Sequence, residues 1–206
     1  SLRDTRPGRM TWELHFPGLG LVSLELSEFC NLSDDFTIAR STAEGTREEH
    51  YVPSLITYEV TSAAFADGSF EEAQGIVVLF ENFVQASFKV QGSQWELAPT
   101  KRPGNRQERV DDYVLFDVSK STATNTFTCA VEDQEREMTL LTAQQQRNLV
   151  PQCVEIGLDI DNFTYNTFSD CYGAIDWGLG VLAGVDLVYR TGLNDVITLL
   201  ASYVNG

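Results

Sequence analysis

The strongest constraint on the fold is a strand, a helix and a second strand that follow one another from Pro151 onward. In Cys153–Ile160 every second residue is apolar, which is typical of a strand with one buried face. The stretch from Ser169 to Gly192 then has helical spacing, and Val196–Val204 is again apolar. A strand, a helix of roughly 20 residues and a strand predict a βαβ unit with parallel strands.

The predicted helix has recognisable ends and one predicted buried face. Ser169 and Asp170 suit an N-cap and an acidic first turn, and Gly192 suits a left-handed C-cap. Asp176 and Asp186 are expected on the polar side, too far apart for paired acid–base chemistry. The predicted buried face consists of Ile175, Gly178, Leu182, Val185 and Tyr189.

The front of the chain predicts short antiparallel strands. Six runs are rich in β-branched and aromatic residues, and turn formers such as Pro17-Gly18 and Asp67-Gly68 separate them. The runs are Trp12–Phe16, Leu19–Leu26, Ser54–Ala64, Ile76–Phe80, Phe83–Val90 and Trp95–Leu97. The predicted class is α+β, with an antiparallel β-rich part in residues 1–130, a linker in 131–150 and an incomplete βαβ unit in 151–206.

A single βαβ unit cannot cover both faces of its own sheet. Its second strand ends near Val204, so we expect the free edge of that strand to meet a partner. The partner is either the remainder of a larger domain or another protomer.

Charge excludes some functions. Lys and Arg total 14 against 30 Asp and Glu, a formal net charge of −16. Such a surface repels nucleic acid and anionic membranes, since both are bound largely through Lys and Arg. The apolar runs are far shorter than the roughly 20 residues of a spanning helix, so no membrane span is expected.

Cysteines and glycosylation sequons favour secretion. The four cysteines lack C-x-x-C spacing, so disulfide bonds are the default expectation, with Cys153 and Cys171 close across the strand–helix loop as one possibility. Asn31-Leu32-Ser33 and Asn162-Phe163-Thr164 are predicted glycosylation sites. The disulfide candidates are Cys30, Cys129, Cys153 and Cys171.

The βαβ region resembles the opening of a reprolysin-type metallopeptidase domain, a metzincin of the adamalysin kind. The resemblance lies in Cys153–Asp161, then a helix ending in Val188-Tyr189-Arg190, then Asn194–Leu199. Upstream, Trp12–Phe16 and Phe80–Leu97 are similar to strands of reprolysin propeptides. Phe127–Val131 is similar to the cysteine-containing element that precedes the protease in that family.

The resemblance implies a propeptide joined to the first βαβ unit of a protease domain. It assigns Cys129 as a possible latency ligand to a zinc ion outside this chain, although Ala130 replaces the family's glycine. The alternative is a disulfide from Cys129 to another cysteine. The motif H-E-x-x-H is missing and the histidines are His15 and His50, so the chain is expected to be inactive alone. Zinc is expected only if a catalytic half follows Gly206.

Two functions follow from the sequence. The first is an N-terminal pro-region with the first βαβ unit of a secreted zinc metallopeptidase, acting in latency and folding. The alternative is a non-enzymatic extracellular structural or adhesive subunit that self-assembles through strand edges.

Overall fold

The computed structural model describes residues 7–42, 44–101, 110–121, 152–168, 170–192 and 197–205. The strands in these ranges are β1 (Arg9–Phe16), β2 (Gly20–Phe29), β3 (Leu32–Thr42), β4 (Gly45–Glu49), β5 (Ile56–Phe65), β6 (Phe70–Leu79), β7 (Val84–Val90), β8 (Ser93–Pro99), β9 (Tyr113–Asp117), β10 (Gln152–Asp159) and β11 (Ile197–Asn205). The helices are α1 (Asn162–Tyr165) and α2 (Cys171–Gly192), with a 3-10 turn at Val118–Lys120. The predicted α+β class is confirmed.

The first sheet is antiparallel, in the order β1-β2-β5-β6-β7-β8-β9. All six predicted strand runs lie in it. Gln91 and Gly92 form the two-residue turn between β7 and β8, with φ of 50° and 73°. Positive φ at both positions is the mark of a type I′ turn, which matches the twist of a hairpin. β7 and β8 therefore form a hairpin.

This sheet is strongly curved, and its core lies inside the curve. The Phe16 ring of β1 lies 5.6 Å from that of Phe88 on β7 and 5.1 Å from that of Trp95 on β8. In a flat sheet four strand spacings would separate β1 from β7 by about 19 Å. The fully enclosed residues of this core include Phe16, Val22, Leu24, Ala63, Val77 and Phe88.

The second sheet has the order β10-β11-β3-β4. β10 and β11 are parallel, as predicted for the βαβ unit. β3 is parallel to β11, and β4 returns antiparallel to β3. The prediction of a free edge at β11 was therefore wrong, because β3 of the same chain covers that edge. The proposed boundary after residue 130 also does not separate two sheets, and the linker 131–150 lies outside the described residues.

Helix α2 is packed between the two sheets. Ile175, Leu179 and Leu182 contact the second sheet, while Ala183 and Leu187 contact the outer face of β6. By length and composition α2 is apolar enough to cross a membrane, but 56% of that stretch is buried inside the protein. Burial against two layers accounts for its composition.

The predicted buried face of α2 was partly wrong. Val185 and Tyr189 are 41% and 46% exposed, whereas Asp176 and Asp186 are only 3% and 1% exposed. A single apolar stripe describes a helix that lies on one layer. Contact with two layers buries a wider arc, and the carboxylates within that arc need partners.

Candidate functional site at the junction of the two sheets

The first buried carboxylate of α2 anchors the segment that leads into β5. The Tyr51 hydroxyl donates to Asp176 Oδ1 at 2.9 Å. The Ser54 backbone N–H lies 3.3 Å from Asp176 Oδ2, and the Ser54 hydroxyl donates to the same oxygen. Several donors on one carboxylate compensate for its removal from water. This site ties the front part of the chain to α2.

The second buried carboxylate belongs to an ion network that joins three elements. Asp186 Oδ1 accepts from the Leu199 N–H of β11 at 2.7 Å, and Oδ2 accepts from Arg190 Nε at 2.9 Å. Arg190 Nη1 also donates to Glu59 Oε2 of β5 at 2.9 Å. Its guanidinium lies 4.9 Å from the centre of the Phe29 ring. Burial alone would lower the pKa of Arg190, but Glu59 and Asp186 outweigh it and the pKa is raised.

A third set of contacts holds the N-terminus of α2 against the β3–β4 hairpin. The Tyr172 hydroxyl donates to Glu49 Oε1 at 2.9 Å, and the Tyr172 ring stacks on Tyr51 at 5.0 Å. The hydrogen bond to the Glu49 carboxylate raises the pKa of Tyr172, since it stabilises the protonated phenol. Asp170 Oδ1 accepts from the Gly173 N–H at 2.8 Å, so Asp170 is the N-cap, one position after the predicted Ser169.

Cys171 opens α2 next to Arg40, a setting that resembles that of a reactive thiol. Burial nevertheless raises the pKa of Cys171, and the opposing attraction of Arg40 does not cancel the effect. The side chain is 6% exposed. A buried, protonated thiol is a poor nucleophile, so this position is structural in character.

The thiol of Cys171 is expected to react slowly. In the reduced, folded protein at pH 8, we expect iodoacetamide to label it at least about tenfold more slowly than Cys30 or Cys153. Because the pKa of Cys171 is raised in the folded protein, its thiol loses its proton at a lower pH in the unfolded chain than in the folded one. Stability from this group is therefore present below the ordinary thiol pKa and is lost as the pH rises through the folded value. Peptide mass spectrometry over time measures the rates, and equal labelling of all three would contradict the expectation.

The structure describes three of the four cysteines that were predicted to form disulfide bonds. Cys30, Cys153 and Cys171 are free thiols, so no bond joins any two of these three. Cys153 lies at the beginning of β10, about 20 Å along the strand from the end that leads to α2. A disulfide needs Cα atoms within about 7 Å, which corrects the suggested Cys153–Cys171 pair. Cys129 lies outside the described residues, as does any bond that it makes.

Of the two predicted glycosylation sites, the structure describes the side chain of Asn31 only. Asn31 is 4% exposed, and its backbone oxygen accepts from the Ala201 N–H at 2.7 Å. A glycan on this side chain would have to occupy the junction, which corrects the expectation of a surface site there. Asn162 begins α1, but its side chain lies outside what is described.

Asn31 also gives a stability prediction. Its Nδ2 is buried without a hydrogen-bond partner, and a cleft of about 50 Å³ lies beside the residue. Removing an unpaired buried polar group is favourable when an apolar side chain fills its place. Asn31→Leu is expected to raise stability by about 1 kcal/mol in urea unfolding. A loss of stability of similar size would show that the amide has a stabilising role.

The described residues do not fit a catalytic zinc site. No group of three or more His, Cys, Asp or Glu side chains lies together in these ranges. His15 is exposed on β1 and His50 follows β4 in the other sheet, so they do not converge. A catalytic zinc ion needs three protein ligands, and the described residues do not bring three together.

A groove of about 250 Å³ lies beside α2, on the outer face of β6, β7 and β8. Its helix wall consists of Trp177, Gly180, Val181 and Gly184. Ile76, Val78 and Phe80 contribute to an apolar floor, and Glu96 is the acidic residue among its lining.

Sequence reasoning missed most of the junction. The pair Asp186 and Arg190 has the i, i+4 spacing of a helical ion pair, which was a usable signal. Glu59, Tyr51 and Ser54 come from distant parts of the chain and carry no local pattern that links them to α2. No family model and no curated protein matches the chain.

Proposed function

We propose that this chain is the N-terminal pro-region and the first βαβ unit of a secreted, reprolysin-like zinc metallopeptidase. In this proposal the pro-region holds the βαβ unit in its folded form and keeps the protease latent. The chain itself is not catalytic.

The pairing of β3 with β11 is the observation that carries the folding role. Ile38 of β3 lies opposite Val204 of β11, and Ala39 lies opposite Asn205. Phe36 and Ile38 share one buried cluster with Leu199 and with Ile175 of α2. A βαβ unit alone would leave this strand edge and this apolar surface in water. The front part therefore supplies what the βαβ unit lacks, as a folding template would.

The outer face of β6 and the ion network add a second attachment. Arg190 of α2 pairs with Glu59 of β5 at 2.9 Å, so separating the two parts would break this ion pair. These contacts favour a pro-region that stays bound to the start of the protease until it is cut or displaced.

Latency is the part of the proposal that the resemblance carries. A Cys129 thiolate would occupy the open coordination position of a zinc ion held by residues outside this chain, in place of the catalytic water. The alternative function, self-assembly through the edge of β11, loses support because β3 occupies that edge.

Peptide mapping of the natural protein tests the proposal. We expect peptides beyond Gly206 that contain H-E-x-x-H, and a processed form that begins between β9 and β10. A natural protein whose gene encodes no such motif would refute the metallopeptidase assignment. In that case the contacts between the two parts would remain as described, without the proposed role.

A further inference from the structure

The groove beside α2 is apolar apart from one side. Among the described residues that line it, Glu96 of β8 is the charged one, and Ser87 of β7 lies directly opposite it. Glu96 is half-buried, and its carboxylate makes no ion pair or hydrogen bond with another residue that the structure describes. A carboxylate that is partly removed from water beside an apolar surface favours a cationic partner. The groove therefore combines an apolar floor with one unpaired negative charge.

The groove is closed at one glycine of α2 and open at another. A Cβ added at Gly180 would lie 3.0 Å from Phe80 Cζ and 3.3 Å from Val78 Cγ1, so the helix rests on the floor at that position. A Cβ added at Gly184, which also lines the groove, would meet nothing within 4 Å. The space beside Gly184 can therefore accept an apolar side chain from a partner.

The walls of the groove offer side chains but no free main-chain groups. β6, β7 and β8 are each paired with a strand on both sides, and the backbone of α2 is hydrogen-bonded within the helix. An extended peptide in the groove would leave its own N–H and C=O groups unpaired against the floor. A helix pairs these groups internally and needs only side-chain contacts. The wall from Trp177 to Val188 is about 16 Å long, which is about three turns of such a helix.

We propose that this groove binds an amphipathic helix of a partner protein that carries Lys or Arg beside its apolar face. An apolar side chain of the partner enters beside Gly184, and a basic side chain pairs with Glu96. Val181 and Val188, at 47% and 67% exposed, extend the apolar contact along α2. The net charge of −16 attracts a basic partner and opposes a second copy of this chain. This binding role goes beyond the proposed pro-region function and does not depend on it.

Fluorescence anisotropy with a labelled peptide of about 18 residues tests the proposal on the 206-residue chain. The peptide has Leu at helical spacing with Lys beside it, and we expect a Kd of about 10 to 100 µM. Gly184→Leu should weaken binding at least about tenfold, because it fills the groove without changing the charge. Leu also favours a helix more than Gly does, so this variant should fold. Glu96→Gln should weaken binding about threefold, whereas Glu48→Gln on β4 is the matched control and should leave it unchanged.

A second peptide with Glu in place of Lys should not bind. The proposal would be overturned if the basic peptide did not bind, if the acidic peptide bound equally well, or if Gly184→Leu left binding unchanged. Equal effects of Glu96→Gln and Glu48→Gln would also overturn it, because the net charge alone would then explain the attraction. Sedimentation velocity without peptide adds one more outcome: a dimer that Gly184→Leu disperses would assign the groove to a second copy instead. None of these results bears on the metallopeptidase assignment, which peptide mapping tests separately.

Discussion

Arg190→Met is expected to lower the free energy of unfolding by about 3 kcal/mol, the lower end for loss of one partner from a buried ion pair. Asp186 is 1% exposed, and without Arg190 its carboxylate keeps the hydrogen bond from the Leu199 N–H. Met preserves the apolar stem of the side chain, so the loss is mainly electrostatic. Urea unfolding followed by tryptophan fluorescence measures the change.

Glu59→Gln provides the control for this substitution. Glu59 is 30% exposed, and Gln retains an oxygen that accepts from Arg190. Its cost should stay below about 1 kcal/mol, as for partly exposed ion pairs. If both variants lower the free energy of unfolding equally, or if Arg190→Met is neutral, Arg190 is not what stabilises the buried charge of Asp186.

Sequence patterns correctly predicted the strands and the helix that are determined by residues close together in the sequence. Phe83–Val90 alternates because β7 has one face on the core, and α2 ends where its caps indicated. β3 was missed because Asp34 and Asp35 interrupt its apolar alternation. Only Phe36, Ile38 and Ala39 of that strand are buried hydrophobic residues, too few for a clear strand signal.

The junction was beyond sequence reasoning because its contacts join distant residues. Val204 pairs with Ile38, and Arg190 bonds Glu59, 131 positions away. Asp176 and Asp186 face inward because α2 packs against both sheets. No pattern near these residues in the sequence predicts the contact with two sheets. The candidate site could be assembled only once both sheets were known.

Gly75→Ala is expected to destabilise the protein by about 3 kcal/mol, at the upper end of typical overpacking costs. Gly75 lies opposite Phe88 on the neighbouring strand β7. An added Cβ would overlap Phe88 Cβ and would lie 2.6 Å from Phe88 Cα and 2.6 Å from the Ser87 carbonyl oxygen. Two of these atoms are backbone, so relief requires β6 and β7 to separate and the core around Phe88 to loosen.

Gly157→Ala is the matched control, because Gly157 is also a strand glycine but has room. The atom nearest to a Cβ added at Gly157 would be Tyr203 Cδ1, at 3.9 Å, which is an ordinary van der Waals contact. The substitution should be neutral or stabilising by up to about 1 kcal/mol, since alanine restricts the unfolded chain. Urea midpoints of the two variants, measured side by side, separate the clash from the general cost of changing a glycine. Equal midpoints would mean that β6 and β7 can shift apart freely, and that the curved sheet is less tightly packed at Phe88 than its contacts indicate.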